Sequence, residues 1–205
     1  MELIILDIIG IIAFAVSGYI ISTKADYDML GILLISAISS LGGGLVRDMI
    51  LSKAPFVFSA TYPLLVVVVV IIFAFLLKYH HSESLEENKL FVIADTIGLS
   101  VFAYTGAMAA LMAGMNFGGV IFLGLFTAVG GGMIRDIIMN KEIYTLRKGF
   151  YGTVAIFVAI LTFLIYSFLS INIFSTTLII LSGIILRIIA IKYDWHLPRV
   201  NKIDK

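Results

Sequence analysis

Long apolar runs alternate with short polar breaks along the whole chain. Seven runs are long enough to cross a hydrocarbon layer as helices. They lie near residues 3–22, 29–53, 61–78, 92–113, 117–140, 150–169 and 172–191. The breaks between them read "STKADYD", "SKAPF", "KYHHSESLEENK", "GMN", "NKEIYTLRK" and "SIN". The pattern predicts an all-α, polytopic membrane protein of seven transmembrane helices. Its longest polar break lies between the third and fourth spans, which makes it the natural joint between two halves.

Sliding the chain against itself by 88 residues brings the two halves into register without a gap from Asp7 to Ile50. Asp7 falls on Asp95, Gly10 on Gly98, Phe14 on Phe102, Gly18 on Gly106 and Gly31 on Gly119. Gly42, Gly43 and Gly44 fall on Gly130, Gly131 and Gly132, and Arg47-Asp48 on Arg135-Asp136. Each unit holds three spans, an odd number, so the second enters the membrane from the opposite side. The expected organisation is a first three-helix repeat at 1–79, a charged connecting loop at 80–90, a second, inverted repeat at 91–170, and a seventh helix with its tail at 171–205. Such 3+3 inverted repeats build pathways near the bilayer midplane, at the interface of the two units.

Two oddities stand inside the second and fifth spans. The first is the glycine triplet, which costs a helix about 1 kcal/mol per residue relative to alanine. Two readings explain it. A bend or break at mid-depth turns carbonyl oxygens toward a polar passage, whose dipoles favour a cation. Alternatively, the missing side chains let two helices approach closely, as small residues do in membranes. The second oddity is charge. Arg47, Asp48, Arg135 and Asp136 follow the triplets, and Asp7 and Asp95 lie early in the first and fourth spans. A charge at the centre of a span costs about 2.5–3.5 kcal/mol on insertion scales, so these groups are expected to face inward and to be paired. Depth puts Asp7 with Arg47 on one side of the membrane and Asp95 with Arg135 on the other, with Asp48 and Asp136 beside them. The pairs either staple helices together or give a water-filled passage its field. Ser17, Ser39, Ser40, Thr105 and Thr127 supply hydroxyls that line a passage or bond back to their own helices. Phe14 and Phe102 are either constrictions or packing.

Composition narrows the class. The 205 residues are 61% hydrophobic and 13% charged, whereas a soluble globular domain is about 25% charged. The lack of cysteine excludes a disulfide framework, thiolate metal sites and a cysteine nucleophile. A net charge of +1 argues against nucleic acid as a partner. His80 and His81 are adjacent in the connecting loop, without a third ligand at sensible spacing, so neither a metal nor another cofactor is expected. No Gly-x-Ser-x-Gly elbow or other catalytic constellation is present. The start "MELIILDIIG" lacks a basic segment ahead of its apolar run, so the first span reads as a retained helix. With the N-terminus outside, Lys24, Lys78, Lys89, Lys141, Arg147, Lys148, Arg187, Lys192, Arg199, Lys202 and Lys205 fall on the inner side and only Lys53 on the outer. That asymmetry predicts an outer N-terminus and a cytoplasmic C-terminus, with Tyr193 and Trp195 as interfacial anchors.

The two motifs "GGGLVRD" and "GGGMIRD" at matching places in a seven-span inverted repeat resemble the prokaryotic trimeric intracellular cation (TRIC) channels, also described as a glycine-transporter-domain family. The resemblance covers about residues 3–191. It implies a homotrimer in the lipid bilayer, each protomer with its own pore for monovalent cations, potassium foremost, lined by helices two and five around glycine kinks. Animal members carry a lysine-containing motif after the glycines, where this chain has Arg47-Asp48 and Arg135-Asp136. A secondary carrier of a small solute such as glycine is the alternative, because inverted repeats with broken helices also build carriers.

Overall fold

A computed structural model describes residues 2–77, 88–141 and 150–197. Among them the chain forms eight helices: α1 Glu2–Thr23, α2 Met29–Ile50, α3 Phe56–Ser59, α4 Tyr62–Leu76, α5 Lys89–Met112, α6 Phe117–Ile138, α7 Tyr151–Phe168 and α8 Ile173–Lys192. Six of these are long and apolar enough to cross a membrane. The third expected span appears as α4, which is shorter. The second ends at Ile50 rather than near 53, and a single-turn helix, α3, follows it.

The repeat is legible down to its helix caps. Asp28 accepts the Gly31 N–H at 2.7 Å and starts α2; Asn116 accepts the Gly119 N–H at 2.9 Å and starts α6. At the other ends, the N–H groups of Lys53 and Lys141 reach back to the carbonyls of Asp48 and Asp136, each at 2.9 Å. The intervening Ser52 and Asn140 take left-handed conformations with φ of 53° and 50°. Both are Schellman closures, which satisfy carbonyls that a helix end would otherwise leave bare in the membrane.

Two antiparallel crossings join the repeats. In the first, α1 packs on α5. The Phe14 ring fills the notch at Gly98 and the Phe102 ring the notch at Gly10; a Cβ on either glycine would lie 2.7 or 2.5 Å from the opposing ring. In the second, α2 packs on α6 through the glycine triplets. A Cβ on Gly43 would collide with the Thr127 carbonyl, one on Gly131 with the Ser39 carbonyl, and one on Gly42 would lie 3.0 Å from the Gly131 Cα. Neither helix breaks at its triplet, and the facing backbone takes the space left by the absent side chains.

The last helix, α8, belongs to neither repeat and packs on α7 and α5. Tyr104 and Thr176 join their hydroxyls at 2.8 Å across α5 and α8, and Gly183 lies close against Val158 and Ser100. Large apolar side chains such as Leu65, Phe73 and Leu76 on α4 and Phe174 on α8 are exposed, as a lipid-facing surface requires.

The backbone contacts predict a graded alanine series. Gly43→Ala and Gly131→Ala must push two helix backbones apart and should each cost about 1–3 kcal/mol. Gly132→Ala meets nothing nearer than the Arg135 Nη2 at 3.7 Å and should be close to neutral. Thermal unfolding in detergent measures the ranking.

Candidate functional site

The charged residues of the spans gather into two buried clusters, one in each repeat. In the first, Arg47 projects from the last turn of α2 toward Asp7 on α1, with Nη1 3.5 Å from Asp7 Oδ1. Its Nε donates to Asp48 Oδ1 at 2.8 Å. The other carboxylate oxygen, Asp48 Oδ2, accepts the Phe56 N–H at 2.8 Å and so ties the end of α2 to the start of α3. The Phe56 ring lies under the guanidinium, 5.3 Å from centroid to Cζ, and packs against Gly44. Arg47 is thus held by two carboxylates and one aromatic face, the kind of pairing that lets a charge remain inside a span.

In the second cluster Arg135 Nε and Nη2 each lie 2.8 Å from Asp136 Oδ1. Asp95 faces the Tyr151 hydroxyl from α7, with Arg135 and Arg187 both within electrostatic reach. Arg187 sits on α8 with 3% exposure, its guanidinium 4.9 Å from the Tyr151 ring centroid. The expected partnership of Asp7 with Arg47 is therefore a direct ion pair, while Asp95 faces a tyrosine hydroxyl and shares two arginines. Outside the spans, Lys141 follows α6, and burial, then Arg135, lowers its ammonium pKa.

Sequence reasoning assigned Arg187 to the inner-side charges and passed over Tyr151. The structure buries Arg187 within α8, against Tyr151. The signal was present in "IILRIIAIK", since an arginine within a spanning run marks an inward-facing group.

The hydroxyls divide into two kinds. Ser39, Ser40 and Thr127 bond back to the carbonyls of Ile35, Ser36 and Leu123 at 2.7, 2.7 and 2.6 Å. Ser17 is fully buried with no hydrogen-bond partner. Thr105 lies beside Asp7, outside hydrogen-bond geometry. The crossing that seats Phe14 at Gly98 and Phe102 at Gly10 continues outward to set Asp7 level with Thr105, and Ser17 level with Asp95. Phe14 and Phe102 are themselves buried, with ring centroids 5.4 Å apart, and fill the centre of this crossing. Gly42, Gly43, Gly130 and Gly131 form the α2–α6 contact.

Among the described residues no cluster of three or more His, Asp or Glu side chains forms a metal site, and His80 and His81 lie outside the described residues. Trp195 packs edge-on against Phe150 at 5.3 Å, just past the end of α8.

The model of the family described as "Glycine transporter" matches residues 4–79 and again 92–167, which is the two repeats. The chain belongs to this family. The UPF0126 membrane protein YvgT of Bacillus subtilis is 30% identical over 200 residues, covering 95% of this chain and 94% of that one. A solved structure reported as "Structural basis for conductance through TRIC cation channels" is 33% identical with a TM-score of 0.86, covering 98% of both chains. The TRIC orthologue from Rhodobacter sphaeroides is 26% identical with the same TM-score, covering 95% of this chain and 99% of that one. This member of the glycine-transporter family is a multi-pass membrane protein with the TRIC channel fold, and it is not an enzyme.

The two clusters respond differently to mutation. Arg47→Ala leaves two buried carboxylates without their cation and should cost about 3–5 kcal/mol. The exchange Asp7→Arg with Arg47→Asp should recover part of that loss. Tyr151→Phe removes the hydroxyl that faces Asp95 and should cost about 1–3 kcal/mol. A double-mutant cycle on detergent melting curves checks both; additive costs at Asp7 and Arg47 would contradict the pairing.

Proposed function

We propose that the protein is a passive channel for monovalent cations, potassium foremost. It works as a homotrimer in the cell membrane, each protomer conducting between its two repeats along α1, α2, α5 and α6. The single observation that carries this reading is the pair of buried Arg–Asp clusters, set on opposite sides of the inter-repeat crossings, each keeping two carboxylates inside the spans. Carboxylates in a low-dielectric setting draw cations, and the neighbouring arginines keep the site from binding them too tightly to release. The matched structures are of TRIC cation channels, one of them a trimeric channel orthologue, and they support the same assignment. No TVGYG-type filter is present in the sequence. Selectivity among monovalent cations is therefore modest and comes from the field of the clusters. The lysine and arginine distribution sets the N-terminus outside and the C-terminus in the cytoplasm. Potassium is the permeant ion, and no bound cofactor takes part.

A second reading, a secondary carrier for a small solute such as glycine, is favoured by the match to the glycine-transporter family. Planar-bilayer recording of purified protein separates the two. Discrete unitary currents that reverse near the potassium equilibrium potential in a salt gradient are expected. Electrical silence together with saturable counter-flow uptake of labelled glycine would establish the carrier instead.

A further inference from the structure

The two repeats match almost residue for residue, yet their charge clusters do not balance alike. Among the described residues the cluster at the face where α1 begins holds Asp7, Asp48 and Arg47, one carboxylate more than cations. Within the spans the opposite cluster holds Asp95, Asp136, Arg135 and Arg187, with carboxylates and cations equal in number, and the Lys141 ammonium past the end of α6 adds positive charge near Arg135 and Asp136. Inside the spans the difference is Arg187, which comes from α8, the long described helix outside the repeat. It is fully committed to the interior: it is buried, stacked on the Tyr151 ring, and its Nε has no hydrogen-bond partner. The Tyr151 hydroxyl in turn faces Asp95. A guanidinium buried with an unsatisfied donor is costly, so packing alone is a poor reason to place it there.

We propose that Arg187 makes an otherwise symmetric pathway electrically polar. Cations concentrate at the Asp7 half and not at the Asp95 half, so more current flows when they enter from the face where α1 begins. The proposal rests on the cation-conduction reading above. One unit charge about 10 Å away through water changes the local concentration of a monovalent ion about twofold, and the asymmetry should be of that size. Arg187 acts here as a positioning residue for the field at Asp95.

The test compares the wild-type protein with Arg187→Gln and Arg187→Lys in planar bilayers bathed by dilute, symmetric potassium chloride. The measured quantity is the ratio of single-channel currents at equal and opposite voltages. The wild type should rectify about twofold, the ratio a single nearby charge sets. The Gln variant should approach an ohmic response, and the Lys variant should keep the wild-type ratio although it loses the planar stack. Molar salt should abolish the wild-type asymmetry, because the screening length falls to about 3 Å. That salt arm needs no variant and stands if the Gln protein fails to fold. An ohmic wild type in dilute salt, or a Gln variant with the wild-type ratio, overturns the proposal. A second readout is independent of conduction. Thallium soaked into crystals should give an anomalous peak beside Asp7 and none beside Asp95, and the Gln variant should gain the second peak. Equal peaks, or none, in the wild type overturn the inference. An asymmetric pair of sites in a protein without unitary currents would instead overturn the channel reading and leave the charge asymmetry standing.

Discussion

Two backbone-to-backbone contacts hold the structure together: Gly43 against the Thr127 carbonyl and Gly131 against the Ser39 carbonyl. In a bilayer no hydrophobic drive separates helix from lipid, so association depends on close packing and polar contacts. Here the closest packing is possible only because α2 and α6 present glycine at the same level. Arg47 and Arg135 follow their triplets by one turn, so the crossing that brings the helices together also fixes where the guanidinium groups lie. The same contact therefore sets the depth of both charge clusters. The intrinsic weakness of three adjacent glycines in a helix is offset by the facing helix, which fills the vacant faces.

Once the depth is fixed, each buried charge must find a partner, and the two halves solve this differently. Asp48 uses one oxygen for Arg47 and the other for the Phe56 N–H, so α3 becomes part of the first cluster. The second recruits α7 and α8 through Tyr151 and Arg187. Symmetry in the sequence thus produces symmetry in the helices that carry the charges. The supporting residues Phe56, Tyr151 and Arg187 come from α3, α7 and α8.

Much of this was legible in the chain. The shift of 88 residues placed Asp28 on Asn116 and Ser52 on Asn140, and the caps at those positions are equivalent. The depth argument put Asp7 with Arg47 because antiparallel helices bring the start of one beside the end of the next. What the chain did not disclose was which neighbour satisfies Asp95. A carboxylate's partner can come from any facing helix, and the periodicity of α5 does not say that α7 and α8 pack there. Nor did spacing separate the two roles of the triplets. A glycine that bends a helix and one that admits a neighbour look alike until the facing backbone is placed. The same holds for Phe14 and Phe102, whose role follows from the notches at Gly98 and Gly10 rather than from the residues themselves.

The seams between the repeats also bear on how solutes cross. A rocking carrier must slide one repeat against the other in each cycle. Here both seams interlock: the two phenylalanine rings are seated in glycine notches across α1 and α5, and the backbones of α2 and α6 touch. Rocking would have to lift both rings from their notches and part the glycine contacts together, losing contact on both seams at once. Close-packed interfaces resist continuous deformation, and a shift between them needs a second packing of comparable energy. The glycine contacts offer no such second register, since moving one turn along either helix brings Ser40 or Ala128 to a position where Gly43 and Gly131 now admit no Cβ. The interlock therefore resists rocking of one repeat against the other and leaves movement to the cluster side chains and the segments that hold them.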